Sequence, residues 1–163
     1  LIRQGQGRLI LTTSSAGLYA NHGQAAYSAA KAAVIGLMRA LALEGRRHGV
    51  RVNAIAPYGY SQMTAPYMNQ AMGIAFDPGL VAPLVGWLAS EACDVSGEVL
   101  VCGAGWIRRA ASGESPAVPM APEAPQWAVH ALASRPLSGH DCANDSFATF
   151  LRECGFQTEE TPT

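Results

Sequence analysis

From Ala25 to about Arg47 the chain runs for twenty-odd residues almost without a breaker, rich in alanine and poor in charge, which predicts one long helix. Short apolar runs flank it. GRLILTTSS predicts a buried strand from about Arg8 to Thr13, and VRVNAIAP predicts a second strand stopped by Pro57. DPGLVAPLVGWLASEA then reads as a helix, and GEVLVCGAG as a third strand closing in a glycine turn. Strand, helix, strand, helix, strand predicts an α/β fold with a parallel sheet, since parallel neighbours need a crossover long enough to hold a helix. The long helix carries only Lys31, Arg39, Glu44 and its terminal arginines as charges. It is therefore expected to pack on two sides, one against the sheet and one against a neighbouring helix in this chain or in a second subunit.

The organisation changes once, near residue 110, where AASGESPAVPMAPEAP is too rich in proline and small residues for a regular element. A weaker helical segment follows. The expected division is one compact domain over residues 1–109 and a linker with a weakly helical extension over 110–163. Ten arginines and one lysine against twelve acids leave a formal charge of −1, which provides no basic field for nucleic acid or an anionic membrane. No apolar run is read as approaching the roughly 20 residues that cross a bilayer, so a soluble, cytoplasmic chain is expected. The cysteines at 93, 102, 142 and 154 lack paired metal-site spacings and secreted-scaffold density, so they are read as reduced thiols. The histidines at 22, 48, 130 and 140 lack helical zinc spacing, and GHDCAND, with His140 and Cys142, reads as a polar loop; no metal is expected. Gly103 to Gly105 reads as a turn rather than a phosphate cradle.

The only lysine, Lys31, stands four residues after Tyr27, so the two share a helix face about 6 Å apart along the axis. A free phenol is a poor acid or base at neutral pH, and a nearby cation favours its ionised form. Tyr27 then becomes a usable proton donor or acceptor. Thirteen residues earlier, Ser14 ends the first strand, where parallel sheets open their ligand crevice. Ser28 to Lys31 also fits the S-x-x-K of penicillin-recognising enzymes. Those enzymes need a second lysine in a K-T-G strand, which this chain lacks.

Taken together, the strand-end serine, Tyr-x-x-x-Lys and RVNAIAP resemble the catalytic half of the short-chain dehydrogenase/reductase family. MTAPYM, LVAPLVGWLASEAC and GAGWI are similar to its (3R)-hydroxyacyl-CoA dehydrogenase branch, found in peroxisomal multifunctional enzymes and their bacterial relatives. The resemblance implies a Rossmann-like, doubly wound parallel sheet, with residues 1–109 forming about three of its strands and their flanking helices. Tyr27 would be the general acid/base, Lys31 would lower its pKa and bond the nicotinamide ribose, and Ser14 would orient the substrate carbonyl or hydroxyl. Pro57 and Ser61 would join Tyr27 and Lys31 around NAD or NADP. The partners implied are a small-molecule substrate of the acyl-CoA class and a second copy, or an association with the N-terminal half. The glycine-rich turn that holds the pyrophosphate, the residue choosing NAD or NADP, and the family's asparagine have no counterpart here. The first strand is expected to be a bare edge, and the chain a fragment or one partner of a split enzyme, inactive alone. Tyr58 stands where most members have glycine, as the hydroxyacyl-CoA branch also departs from glycine there. The tyrosine- and methionine-rich YGYSQMTAPYMNQAMGIAF is expected to be a mobile apolar lid.

Overall fold

The computed structural model describes residues 1–120 and 125–155, apart from the Tyr67 side chain. It divides into two compact units, Leu1–Ala110 and Ala111–Thr163. In the first, strand β1 (Gly7–Thr12) leads through a short helix α1 (Ser15–Tyr19) to helix α2 (Ala25–Arg46), then strand β2 (Val50–Pro57). Helices α3 (Gln70–Ala75) and α4 (Ala82–Ala89) precede strands β3 (Val99–Gly103) and β4 (Trp106–Ala110). The sheet order is β1-β2-β3-β4. β1 runs parallel to β2 with Gly7 opposite Val50, and β2 parallel to β3 with Ala54 opposite Val99.

Two expectations about these elements are corrected. The sheet has a fourth strand, because β4 folds back antiparallel on β3 with Gly103 opposite Trp106. The turn between them is Ala104 and Gly105, both at positive φ (51° and 76°), the conformation that two-residue hairpins require. The helix expected over residues 77–92 is broken: Pro78–Leu80 forms one 3-10 turn, and only Ala82–Ala89 is α-helical.

Period-two alternation along β2 decides where the core sits. Val50, Val52, Ala54 and Ala56 pack with Ile35, Met38 and Ala42 of α2 on one face, while Ile55 packs with Val81, Leu88, Cys93 and Cys102 on the other. Helices on both faces make β2 a doubly buried central strand. Burial pushes the Cys102 thiol up from its ordinary pKa, so it stays neutral and serves as a small apolar filler. At the other side of the sheet, the Arg8 guanidinium donates to the carbonyls of Ser90 (3.0 Å), Glu91 (3.2 Å) and Cys93 (3.3 Å), closing the C-terminal end of α4.

The buried stripe of α2 is Ser28, Ile35, Met38, Ala42 and Gly45. Helix α1 packs against α2 near Lys31, and the opposite face of α2, including Ala26, Ala33, Leu37, Ala40 and Leu43, is exposed. Ala25–His48 is also long and apolar enough to cross a membrane, at mean hydropathy 1.3, as is Gln70–Ala89 at 1.4, which corrects the expectation that no such run exists. α2 lies with one side on the sheet.

The second unit carries α5 (Pro125–Leu132) and α6 (Ala143–Glu153). Part of the linker-like stretch is paired, since Glu114 bridges Ser138; positions 121–124 of that stretch lie outside the described residues. His140 stands between two carboxylates, Nε2 at 3.4 Å from Glu114 and Nδ1 at 3.5 Å from Asp145. Among the described residues no three His, Cys, Asp or Glu side chains gather as a metal site.

Candidate active site

β1 ends at Thr12, the first of four consecutive hydroxyl residues, and the first three each make a different contact. Thr12 turns its carbonyl to the Lys31 ammonium, which donates to it at 3.1 Å. Thr13 is buried, held in register by its N–H on the Ile55 carbonyl (2.8 Å), and its hydroxyl donates to the Lys31 main-chain carbonyl at 2.7 Å. Ser14 is the N-cap of α1, its Oγ accepting from the Ala16 N–H at 3.2 Å. A cap of this kind leaves the hydroxyl hydrogen able to donate elsewhere.

The strand end therefore grips α2 at one residue, the lysine. Gly17 of α1 allows the approach, since a Cβ there would lie 2.6 Å from the Lys31 carbonyl carbon and 2.9 Å from the Ala32 nitrogen. Only glycine lets the two backbones come this close. From that anchored turn the ammonium lies 5.7 Å from the centre of the Tyr27 ring, within cation–π range, and the ring is half exposed. Tyr27, Lys31 and the strand end carrying Ser14 thus meet beside the C-terminal ends of the parallel strands.

Pro57 ends the neighbouring strand, two residues past Ile55, which pairs with Thr12. Ser61 belongs to a separate turn: its N–H donates to Thr64 Oγ1 at 2.8 Å, and its Oγ meets the same hydroxyl at 3.2 Å. Thr64 in turn donates to the Gly59 carbonyl at 2.9 Å. This segment begins and ends at one place, because the Tyr60 N–H bonds the Phe76 carbonyl at 2.8 Å. Between these points stand exposed Met63, Met72 and Ile74. Tyr58 is anchored by its N–H on the Cys102 carbonyl (2.7 Å), directly above Gly103, where an added Cβ would lie 2.7 Å from the Tyr58 oxygen.

Sequence reasoning singled out Ser14, Tyr27 and Lys31 and passed over Thr13 and Gly17. The signal for Thr13 was the strand period, which turns it to the face opposite Ser14 and so toward the covering helix.

The family model described as short chain dehydrogenase matches residues 1–72. The chain is 45% identical over 105 residues to peroxisomal multifunctional enzyme type 2 of Mus musculus, covering 64% of this chain and 14% of that protein. It is 40% identical over 130 residues to the peroxisomal hydratase-dehydrogenase-epimerase of Neurospora crassa, covering 75% of this chain and again 14% of the relative. The solved full-length peroxisomal multifunctional enzyme type 2 of Drosophila melanogaster superposes with a TM-score of 0.79 at 27% identity, over 92% of this chain and 29% of that one. The chain thus spans a small part of the length of each. With that match over residues 1–72, those relatives and a mostly parallel sheet flanked by helices on both faces, the chain is similar to the short-chain dehydrogenase family.

Proposed function

We propose that the chain carries the proton-transfer half of an oxidoreductase that moves a hydride between NAD or NADP and a hydroxyl or carbonyl substrate, with (3R)-hydroxyacyl-CoA thioesters as the substrate class. The observation that carries the reading is the Lys31 ammonium, bonded to the end of the Ser14 strand and standing over the Tyr27 ring. A nicotinamide cofactor, when bound, supplies or accepts the hydride. The residues present suit its nicotinamide end. An ammonium has three donors, so the bond to Thr12 leaves Lys31 capacity for a ribose hydroxyl. Pro57 and Ser61 are assigned to the same end of the cofactor, and nothing in the donor set favours NAD over NADP. In the oxidative direction the Tyr27 phenolate takes the substrate hydroxyl proton at Oη, and the Ser14 hydroxyl orients the substrate oxygen. In reduction Tyr27 Oη returns the proton.

The acyl-CoA assignment is supported by the apolar surface of Met63, Met72 and Ile74, which suits a long, flexible chain better than a sugar, whose hydroxyls each need a partner. The pyrophosphate-binding turn is assigned to a longer chain or a second chain, so turnover is expected only when one supplies it. The chain joined to a glycine-rich nucleotide-binding segment is expected to consume (3R)-3-hydroxybutyryl-CoA and a medium-chain homologue and to spare the (3S) enantiomer. Equal rates on both enantiomers, or turnover confined to a sterol or a sugar, would remove the acyl-CoA assignment.

A second reading, a non-catalytic segment that dimerises, is favoured by the exposed outer face of α2, where Leu37 and Leu43 stand among alanines. The two readings share one consequence, self-association or pairing with the N-terminal half over this face and the β1 edge. Light scattering on the eluting chain is expected to give a mass above 17.1 kDa. A dilution-stable monomer would count against both association proposals. A cytoplasmic location is kept as part of the proposal, although the relatives above are named as peroxisomal.

A further inference from the structure

We propose that Thr13 is a positioning residue for Lys31: its buried hydroxyl clamps the lysine's main-chain carbonyl to the end of β1, and so fixes where the ammonium stands relative to Tyr27. The inference rests on the functional reading above for its catalytic meaning, though not for its geometry.

Lys31 is held twice by adjacent residues, Thr12 at the end of β1 and Thr13 just past it. The Thr13 hydroxyl reaches its carbonyl at 2.7 Å, and the Thr12 carbonyl accepts from its ammonium at 3.1 Å. A lysine side chain has four rotatable carbon–carbon torsions and ordinarily keeps much rotamer freedom. The second contact persists only if the first keeps strand and helix at a fixed separation. Thr13 is suited to this because it is 3% exposed, β-branched and stiff at χ1, and locked to β2 through Ile55. Gly17 closes the other side, touching the same Lys31 carbonyl with no room for a methyl group. Strand end, lysine turn and α1 therefore form one rigid joint, and the residue after Thr13 is Ser14, the N-cap of α1. One hydroxyl, itself remote from any reacting atom, sets the spacing between the ammonium and both assigned catalytic hydroxyls.

The single lysine makes a direct test available in the 163-residue chain. Acylation of Lys31 by a small amine-reactive ester, read site by site in a mass spectrometer, reports how firmly the ammonium is held, whether or not the chain turns over. Thr13→Val keeps the shape and removes the hydroxyl, and is expected to raise the Lys31 rate about fivefold, the factor matching one net hydrogen bond. Thr13→Ser is expected to restore the slow rate. A wild-type rate in Thr13→Val overturns the proposal. Should Thr13→Val fail to fold, the wild-type chain labelled at lysine Cε decides: its single ε-methylene signal is expected to show proximity to the Tyr27 ring protons, and a freely averaging signal without such contacts overturns the clamp. In the chain joined to a nucleotide-binding segment, Thr13→Val is expected to weaken turnover in the direction of Lys31→Met, with recovery in Thr13→Ser. Failure of the functional reading looks different, since Tyr27→Phe would then retain turnover whatever the lysine rates show.

Discussion

Replacing Tyr27 with phenylalanine, in the chain joined to a nucleotide-binding segment, is expected to lower hydride transfer by about 10²–10⁴-fold, the usual worth of a positioned acid or base. The substitution is narrow. Phenylalanine keeps the ring face over which the Lys31 ammonium stands at 5.7 Å, so the cation–π contact and the Thr12 bond have no reason to change. Only the Oη proton site is lost. Cofactor affinity is accordingly expected to stay near wild type in a nicotinamide titration, while turnover falls. Lys31→Met is expected to damage both, because the same ammonium faces the phenol and is assigned to the ribose. The contrast between the two variants matters more than either loss alone. A Tyr27→Phe protein that keeps most of its turnover would move the acid/base role to Ser14 or to a water.

The parts legible in the sequence are those whose signal is local. β1, β2 and β3 are short apolar runs bounded by glycine and proline, and α2 is a breaker-free run whose buried stripe at Ser28, Ile35, Met38, Ala42 and Gly45 keeps helical spacing. Tyr27 and Lys31 were legible for the same reason, since four residues on a helix bring side chains together by geometry alone. β4 was missed because Trp106 to Ala110 places two arginines in an edge strand with four of its five residues exposed, so no apolar run marks it. The helix expected over residues 77–92 is too long because the apolar run Leu80 to Leu88 hides Pro83, which stands in the first turn of α4 and starts the α-helix afresh after the turn Pro78–Leu80. Strand period puts Thr13 on the helix-covered face, but its hydrogen-bond partner was not legible because it lies 18 residues away. A threonine at a strand end looks the same whether its hydroxyl meets solvent or a helix carbonyl. The outer face of α2 reads as apolar and is exposed among the described residues, while the short helix α1 packs against the Lys31 turn of the same helix.

A second large effect is expected at Asn53, which carries no proposed chemistry and yet stands at the centre of the sheet. It is 1% exposed on the middle strand β2, where apolar neighbours on both faces would favour a hydrocarbon side chain. Its amide instead reaches sideways to the chain segment between α4 and β3. Nδ2 donates to the Val95 carbonyl at 3.0 Å, and Oδ1 accepts from the Glu98 N–H at 3.1 Å. Both are backbone groups on an irregular segment with no ladder partner at those atoms, so the side chain does for that segment what a neighbouring strand would do. Asn53→Leu fills nearly the same volume and removes both bonds, leaving the Glu98 N–H without its partner and the Val95 carbonyl with only the weak Cys93 thiol at 3.5 Å. At roughly 1–3 kcal/mol for each stranded group, reduced where relaxation admits water, the expected loss is about 2–4 kcal/mol of stability. The damage should be directional. Val95 to Glu98 leads straight into β3, whose end at Cys102 and Gly103 lies against Tyr58. Urea unfolding of the Leu1–Ala110 unit followed by circular dichroism measures the loss, and hydrogen exchange at Glu98 and Val99 should quicken before exchange at β1. A change below about 0.5 kcal/mol, the range of ordinary surface substitutions, would mean that water replaces the amide at little cost and that Asn53 does not hold this segment in place.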